Sequence, residues 1–143
     1  MTAKTLICLL AGALLAGLAS PAHAGSDLEK ALAAGGKRLT GEEIAERLTG
    51  KTVTFVSEKT GDKFLVFYGV GNETAGRKVG SDTAMTGFHA VTDRDHICLG
   101  WQGRGLPRLR CVDVLLIDGV LHKFKADGSL SGRIIELADG NTT

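Results

Sequence analysis

The sequence has no excess of charge of either sign: 17 Lys and Arg stand against 16 Asp and Glu. Non-specific attraction to nucleic acid or to acidic lipid rests on surplus positive charge, so neither is expected as a partner. Aromatic residues are scarce, with one Trp, one Tyr and five Phe in 143 residues. Cysteine is rarer than the catalytic and metal-binding motifs need. The three cysteines form no Cys-x-x-Cys redox pair and no Cys-x-x-Cys-His haem attachment. No His-Glu-x-x-His zinc helix occurs. No glycine-flanked serine stands at a strand-to-helix turn, so a nucleophile elbow is missing as well. Internal repeats, linkers and low-complexity tracts are absent. What the chain does hold is apolar residues at 43%, too many for a disordered tail. Its length suits one domain, which typically runs to about 100–150 residues.

The one long apolar run opens the chain. Lys4 is followed by Leu6 to Leu18, then by Ser20-Pro21 and Ala22-His23-Ala24. A positive start, a short apolar stretch and a small-x-small end are the marks of a secretory signal peptide over residues 1–24. The run falls short of the roughly 20 residues that span a bilayer, so no membrane span is expected once the leader is removed. Removal takes Lys4 and leaves bases and acids equal in number. It also takes Cys8 and leaves Cys98 and Cys111, an even pair in a chain sent to an oxidising compartment. The expected location is periplasmic or secreted, and a Cys98–Cys111 disulfide is expected there.

Residues 25–50 read as a helical segment. Ser26 to Ala34 resembles a short helix ended by Gly35-Gly36. In Leu39-Thr40-Gly41-Glu42-Glu43-Ile44, Thr40 and Glu43 make a capping box, and Leu39 and Ile44 hold the two staple positions. The spacing predicts a helix over 41–48, stopped by Gly50. From residue 51 to 143 the hydrophobic period is two. Strand character recurs at 52–56, 63–68, 83–91, 96–101, 108–117, 120–125 and 130–137, and residues 69–80 have room for one bent strand. The expected fold is mainly β with a minor α part: an antiparallel meander or small barrel of about seven or eight strands, carrying one or two short N-terminal helices.

Turn chemistry sets a register. Asp118-Gly119 is a type I′ hairpin signal and places Asp113 opposite Phe124. A disulfide between neighbouring strands places Cys98 opposite Cys111 and Trp101 opposite Arg108. If Thr92–Asp95 forms the preceding turn, His89 faces Cys98. One face of this meander then holds Phe88, Ala90, Ile97, Leu99, Trp101, Val112, Val114, Leu116 and Leu121, with Arg108, Arg110, Lys123 and Lys125 near its ends. It is the expected core face. The other holds His89, His96, Cys98, Cys111, Asp113, Leu115, His122 and Phe124.

No residue is assigned as catalytic, no cofactor is expected, and no metal site is assigned. The segment Trp101–Arg110 has the most unusual composition. It holds the only Trp together with Arg104, Arg108 and Arg110. Trp and Arg are enriched at partner contacts, and Arg grips carboxylates and phosphates with two hydrogen bonds. Trp101, Arg104, Arg108 and Arg110 are therefore the expected ligand- or partner-binding residues of a non-catalytic domain. Two alternatives use other residues. A haem- or metal-carrying barrel would ligate through His89, His96 or His122. A small hydrolase or isomerase would pair Asp113 with a histidine.

Several short motifs together resemble a family. They are Leu39-Thr40-Gly41-Glu42-Glu43-Ile44, Leu48-Thr49-Gly50-Lys51-Thr52-Val53, Cys98-Leu99-Gly100-Trp101, Cys111, Asp118-Gly119 and Asp127-Gly128. Their order is similar to that in small periplasmic one-disulfide β proteins of unknown function from Gram-negative bacteria. Phe88-His89-Ala90-Val91 stands where such proteins often carry a Trp-containing strand. The resemblance implies a small disulfide-linked β domain and assigns no catalytic residue.

Overall fold

The computed structural model describes residues 25–103, 105 and 108–143. The leader reading of residues 1–24 and the contact residue Arg104 lie outside the described residues. Helix α1 (Asp27–Ala33) and helix α2 (Gly41–Leu48) each start on a complete capping box, Ser26 with Glu29 and Thr40 with Glu43. At α2 the Glu43 N–H donates to Thr40 Oγ1 at 3.3 Å, and the Thr40 N–H donates to Glu43 Oε2 at 2.9 Å. Leu39 and Ile44, the staple pair, are both buried. Gly50 follows the helix at φ +77°, a conformation that any side chain would strain. Between the helices Lys37–Arg38 forms a two-residue strand, β1.

Eight further strands follow: β2 (Lys51–Ser57), β3 (Lys63–Tyr68), β4 (Glu73–Lys78), β5 (Ala84–Val91), β6 (Ile97–Trp101), β7 (Arg110–Ile117), β8 (Val120–Lys125) and β9 (Leu130–Asp139). Each pairs antiparallel with the next, and β9 pairs back onto β2. The result is a closed eight-stranded up-and-down barrel, which has no free sheet edge to protect. The barrel, the strand number and the two short helices agree with the fold expected from the sequence. β1 is additional. It lies against β7, with Lys37 opposite Leu116 and Arg38 opposite Leu115, on the side where the β6 pairing has already ended.

The Asp118-Gly119 turn has φ +49° and +80°, as type I′ geometry demands, and Asp113 does face Phe124. Cys98 faces Cys111, and the disulfide joins them. Two expected pairings differ. His89 lies opposite Leu99, and Ala90 opposite Cys98. The β5–β6 loop is one residue longer than the Thr92–Asp95 turn: Val91 pairs with Ile97, the Thr92 N–H donates to the His96 carbonyl at 2.9 Å, and Asp95 sits at φ +60°. A one-residue slip turns over every side chain of a strand. Phe88 and Ala90 therefore leave the core face and His89 joins it. Trp101, in turn, does not face Arg108. The β6–β7 ladder ends at Leu99 opposite Arg110, and Trp101 pairs only with Gly87 of β5.

Leu39, Ile44 and Leu48 pack with Val53, Val66, Ile97, Val114, Leu121 and Ile134 in one core. Helix α2 thereby seals the barrel end that holds the start of β2 and the Thr92–His96 loop. Its first turn is tied to that loop by the Gly41 N–H, which donates to Asp95 Oδ1 at 2.6 Å. The outer face of β7 and β8 is buried too: Leu115 and Phe124 are at 0% and 2% exposure. Helix α1 starts beside the β8–β9 turn, tethered by the Leu28 N–H to the Gly128 carbonyl at 2.9 Å and by the Leu130 N–H to Asp27 Oδ2 at 3.0 Å, and the Gly36 that follows it lies near Ile117 at the end of β7.

Candidate functional site

The end opposite α2 includes the end of β4, the end of β6, the start of β7 and the end of β8. It gathers the basic side chains. Cross-strand partners share a face, so the pairings Val114–Lys123, Val112–Lys125 and Leu99–Arg110 put Lys123, Lys125 and Arg110 on the inward face. Along β3 to β8 the positions on that face hold Lys78, His89, Arg110, Lys123 and Lys125 and no Asp or Glu. Arg110 and Lys125 are exposed at the rim, and Lys78 pairs with Asp62 across its hairpin at 2.8 Å.

Lys123 lies deeper, at 7% exposure. Its ammonium donates to the Tyr68 hydroxyl at 2.5 Å and sits 5.0 Å from the Tyr68 ring centre and 5.3 Å from that of Phe55. Among the described residues no carboxylate lies within 4.0 Å of it. Withdrawing an ammonium from water costs several kcal/mol unless it is compensated, and two ring faces with one hydroxyl compensate less than a carboxylate does. Phe55 reaches this position because residue 132 is glycine, where a Cβ would come within 2.6 Å of the ring. Gly76 does the same for Trp101, whose ring lies 2.6 Å from the place a Cβ would take.

His89 completes the polar interior. Its ring stands edge-on to Tyr68 with centres 5.1 Å apart, and Nδ1 shares a 2.9 Å hydrogen bond with Thr74 Oγ1. Burial holds its pKa below the ordinary 6.5, and the Lys123 charge works in the same direction. Glu73 opposes both, through a backbone hydrogen bond and its charge. Proton binding therefore favours the unfolded chain. The stability that neutral His89 contributes is present above about pH 6.5, the unfolded value, and is lost as the pH falls through the folded value. The urea midpoint of wild type should drop more between pH 7.5 and pH 5 than that of His89→Gln. Parallel profiles would show that His89 is not held neutral by the fold.

The structure separates the three candidate ligand histidines. His89 points into the barrel. His96 lies in the β5–β6 loop. His122 sits on the outward face of β8 opposite Leu115, with Nδ1 3.1 Å from the Val120 carbonyl. Among the described residues no three His, Cys, Asp or Glu side chains converge as metal ligands. Asp113 and His96 do meet: Asp113 Oδ1 is 3.6 Å from His96 Nε2 and 3.2 Å from Arg38 Nη1, and neither contact has hydrogen-bond geometry. The pair lies on the outer face beside Arg38 of β1; Asp113 is buried, while His96 is partly exposed. A concave region of about 530 Å³, between α2, the start of β8 and the later part of β9, borders neither residue.

Of the expected contact residues, Trp101 and Arg110 stand at the rim of the open end, with Arg108 exposed just before Arg110. The sequence reading did not find Tyr68 and Phe55, the partners of Lys123. The only available signal was the alternation Leu121-His122-Lys123, which places a lysine on an apolar face. Compared with family models, with curated proteins and with solved structures, the chain matches none of them. Among the described residues no helix is long and apolar enough to cross a membrane.

Proposed function

We propose that the chain is a non-catalytic binding domain, exported to the periplasm or secreted, that holds an anionic ligand or an anionic patch of a protein partner at the open end of the barrel. One observation carries the reading: the inward face of that end is lined by cations and holds no carboxylate along β3 to β8. The exposed Arg108 and Arg110 extend the same charge outward beside the only Trp. Export is supported by the leader-like residues 1–24 and by the Cys98–Cys111 disulfide, which suits an oxidising compartment.

The test is the triple variant Arg104→Gln, Arg108→Gln, Arg110→Gln. Binding of a fluorescein-labelled oligoglutamate should fall about tenfold or more, because charge-assisted hydrogen bonds are lost. The melting temperature should hardly move, since substitutions such as those at the exposed Arg108 and Arg110 change stability by about 0.5 kcal/mol or less. Undiminished binding in the variant, or none in wild type, overturns the reading.

A further inference from the structure

We propose that the Lys123–Tyr68 pair is the seat for the carboxylate of a small monocarboxylic acid with an apolar body. The inference deepens the proposed anion-binding reading and rests on it. It starts from an ammonium at 7% exposure that has no counter-ion within salt-bridge distance among the described residues. Lys123 Nζ has three N–H groups, and Tyr68 takes one of them. The Tyr68 hydroxyl, in accepting that bond, keeps its own proton to donate. A carboxylate above the pair receives one hydrogen bond from Nζ and one from the hydroxyl, which restores the charge balance that the fold leaves open.

The surroundings select the rest of the ligand. Between Lys123 and the rim the inward positions are Leu99, Trp101, Val112 and Phe64, so the wall next to the seat is apolar. A dianion such as phosphate would bring one charge more than the single floor cation answers, beside a wall whose one hydrogen-bond donor is the Trp101 indole N–H. A hydrocarbon or aromatic body gains by the same contact.

The concave regions beside α2 and along β2 and β9 do not reach Lys123 or Tyr68, so the seat opens by movement of Trp101. Its position allows this. It is the last residue of β6, it is half-buried, and beyond Leu99 its strand is paired on one side only. The ring rests on Gly76, where no side chain locks it from behind. When the acid enters, the indole swings toward solvent and the ligand takes its place.

Because Trp101 is the only Trp, its emission reports the event. Sodium octanoate is titrated into the purified full-length protein, with sodium phosphate and sodium chloride as the other arms. A saturable red shift with octanoate alone is expected. Lys123→Met should weaken it about tenfold or more, and Tyr68→Phe by a few-fold. Lys123→Met removes a buried charge and keeps the volume, so it should fold, which circular dichroism verifies. No shift with octanoate, an equal response to phosphate, or undiminished octanoate binding by Lys123→Met overturns the seat. The oligoglutamate measurement on the triple arginine variant then decides separately whether the open end binds anions at all.

Discussion

Replacing both Cys98 and Cys111 by alanine should lower the unfolding free energy by about 3 kcal/mol, read as a shift in the urea midpoint. Part of that figure is the chain-entropy gain from closing a 13-residue separation. The rest of the argument is local. β6 and β7 pair only over Ile97–Leu99 with Arg110–Val112, whereas β2 and β3 stay paired from Lys51 to Val56. This seam is the shortest ladder of the barrel wall, and the disulfide lies at its centre. β1 occupies the β7 edge beyond it, pairing with Leu115 and Leu116, and so holds the wall on the far side. Without the bridge the seam should fray from its open end, carrying Arg108, Arg110 and Trp101 with it. Reduction of the wild type should reproduce the loss, together with weaker anion binding in the molecules that remain folded. A midpoint unchanged by both treatments would mean that β1 and the neighbouring ladders close the barrel alone. It would also remove the disulfide as the support of the open end.

How much of this could be read from the chain depended on how local each cause was. Both helix starts, the Gly41–Leu48 boundaries and the Asp118-Gly119 hairpin follow from residues within four positions of each other. The Cys98–Cys111 register was accessible because a disulfide between adjacent strands admits one alignment. It put Lys123 on the core face, where the structure finds it. The β5 slip was hidden because Asp95 adopts φ +60° while its carboxylate caps Gly41, 54 residues away. Nothing in Thr92-Asp93-Arg94-Asp95 announces that bond. Leu115 and Phe124 fall on the less apolar face, yet are buried, and a strand pattern cannot show what covers a strand from outside. β1 has two residues and no period to detect. The candidate site was half legible for the same reason: the Trp and arginines stand out in composition, while Tyr68 and Phe55 reach Lys123 only through barrel closure.

Ile44→Ala should cost about 2–5 kcal/mol, the range for truncating a fully buried isoleucine. Ile44 is at 0% exposure, and it packs with Leu39 and Leu48 against the inward residues of the barrel. Alanine is the better helix former, yet that preference returns at most about 0.5 kcal/mol and does not offset the lost packing. Ile44→Val should cost only about 0.5–1.5 kcal/mol, which makes the pair a measure of how tightly the end is sealed. The fall in melting temperature should be several degrees per kcal/mol for a domain of this size. The two ends of the barrel do different work on this account: α2 closes one, and the cations gather at the other. Ile44→Ala should therefore leave the octanoate response of Trp101 unchanged in folded protein at low temperature, while Lys123→Met weakens that response and leaves the fold intact. A loss of both stability and octanoate binding in Ile44→Ala would mean that the seat depends on the seal. A cost below about 1 kcal/mol would mean that α2 does not close that end.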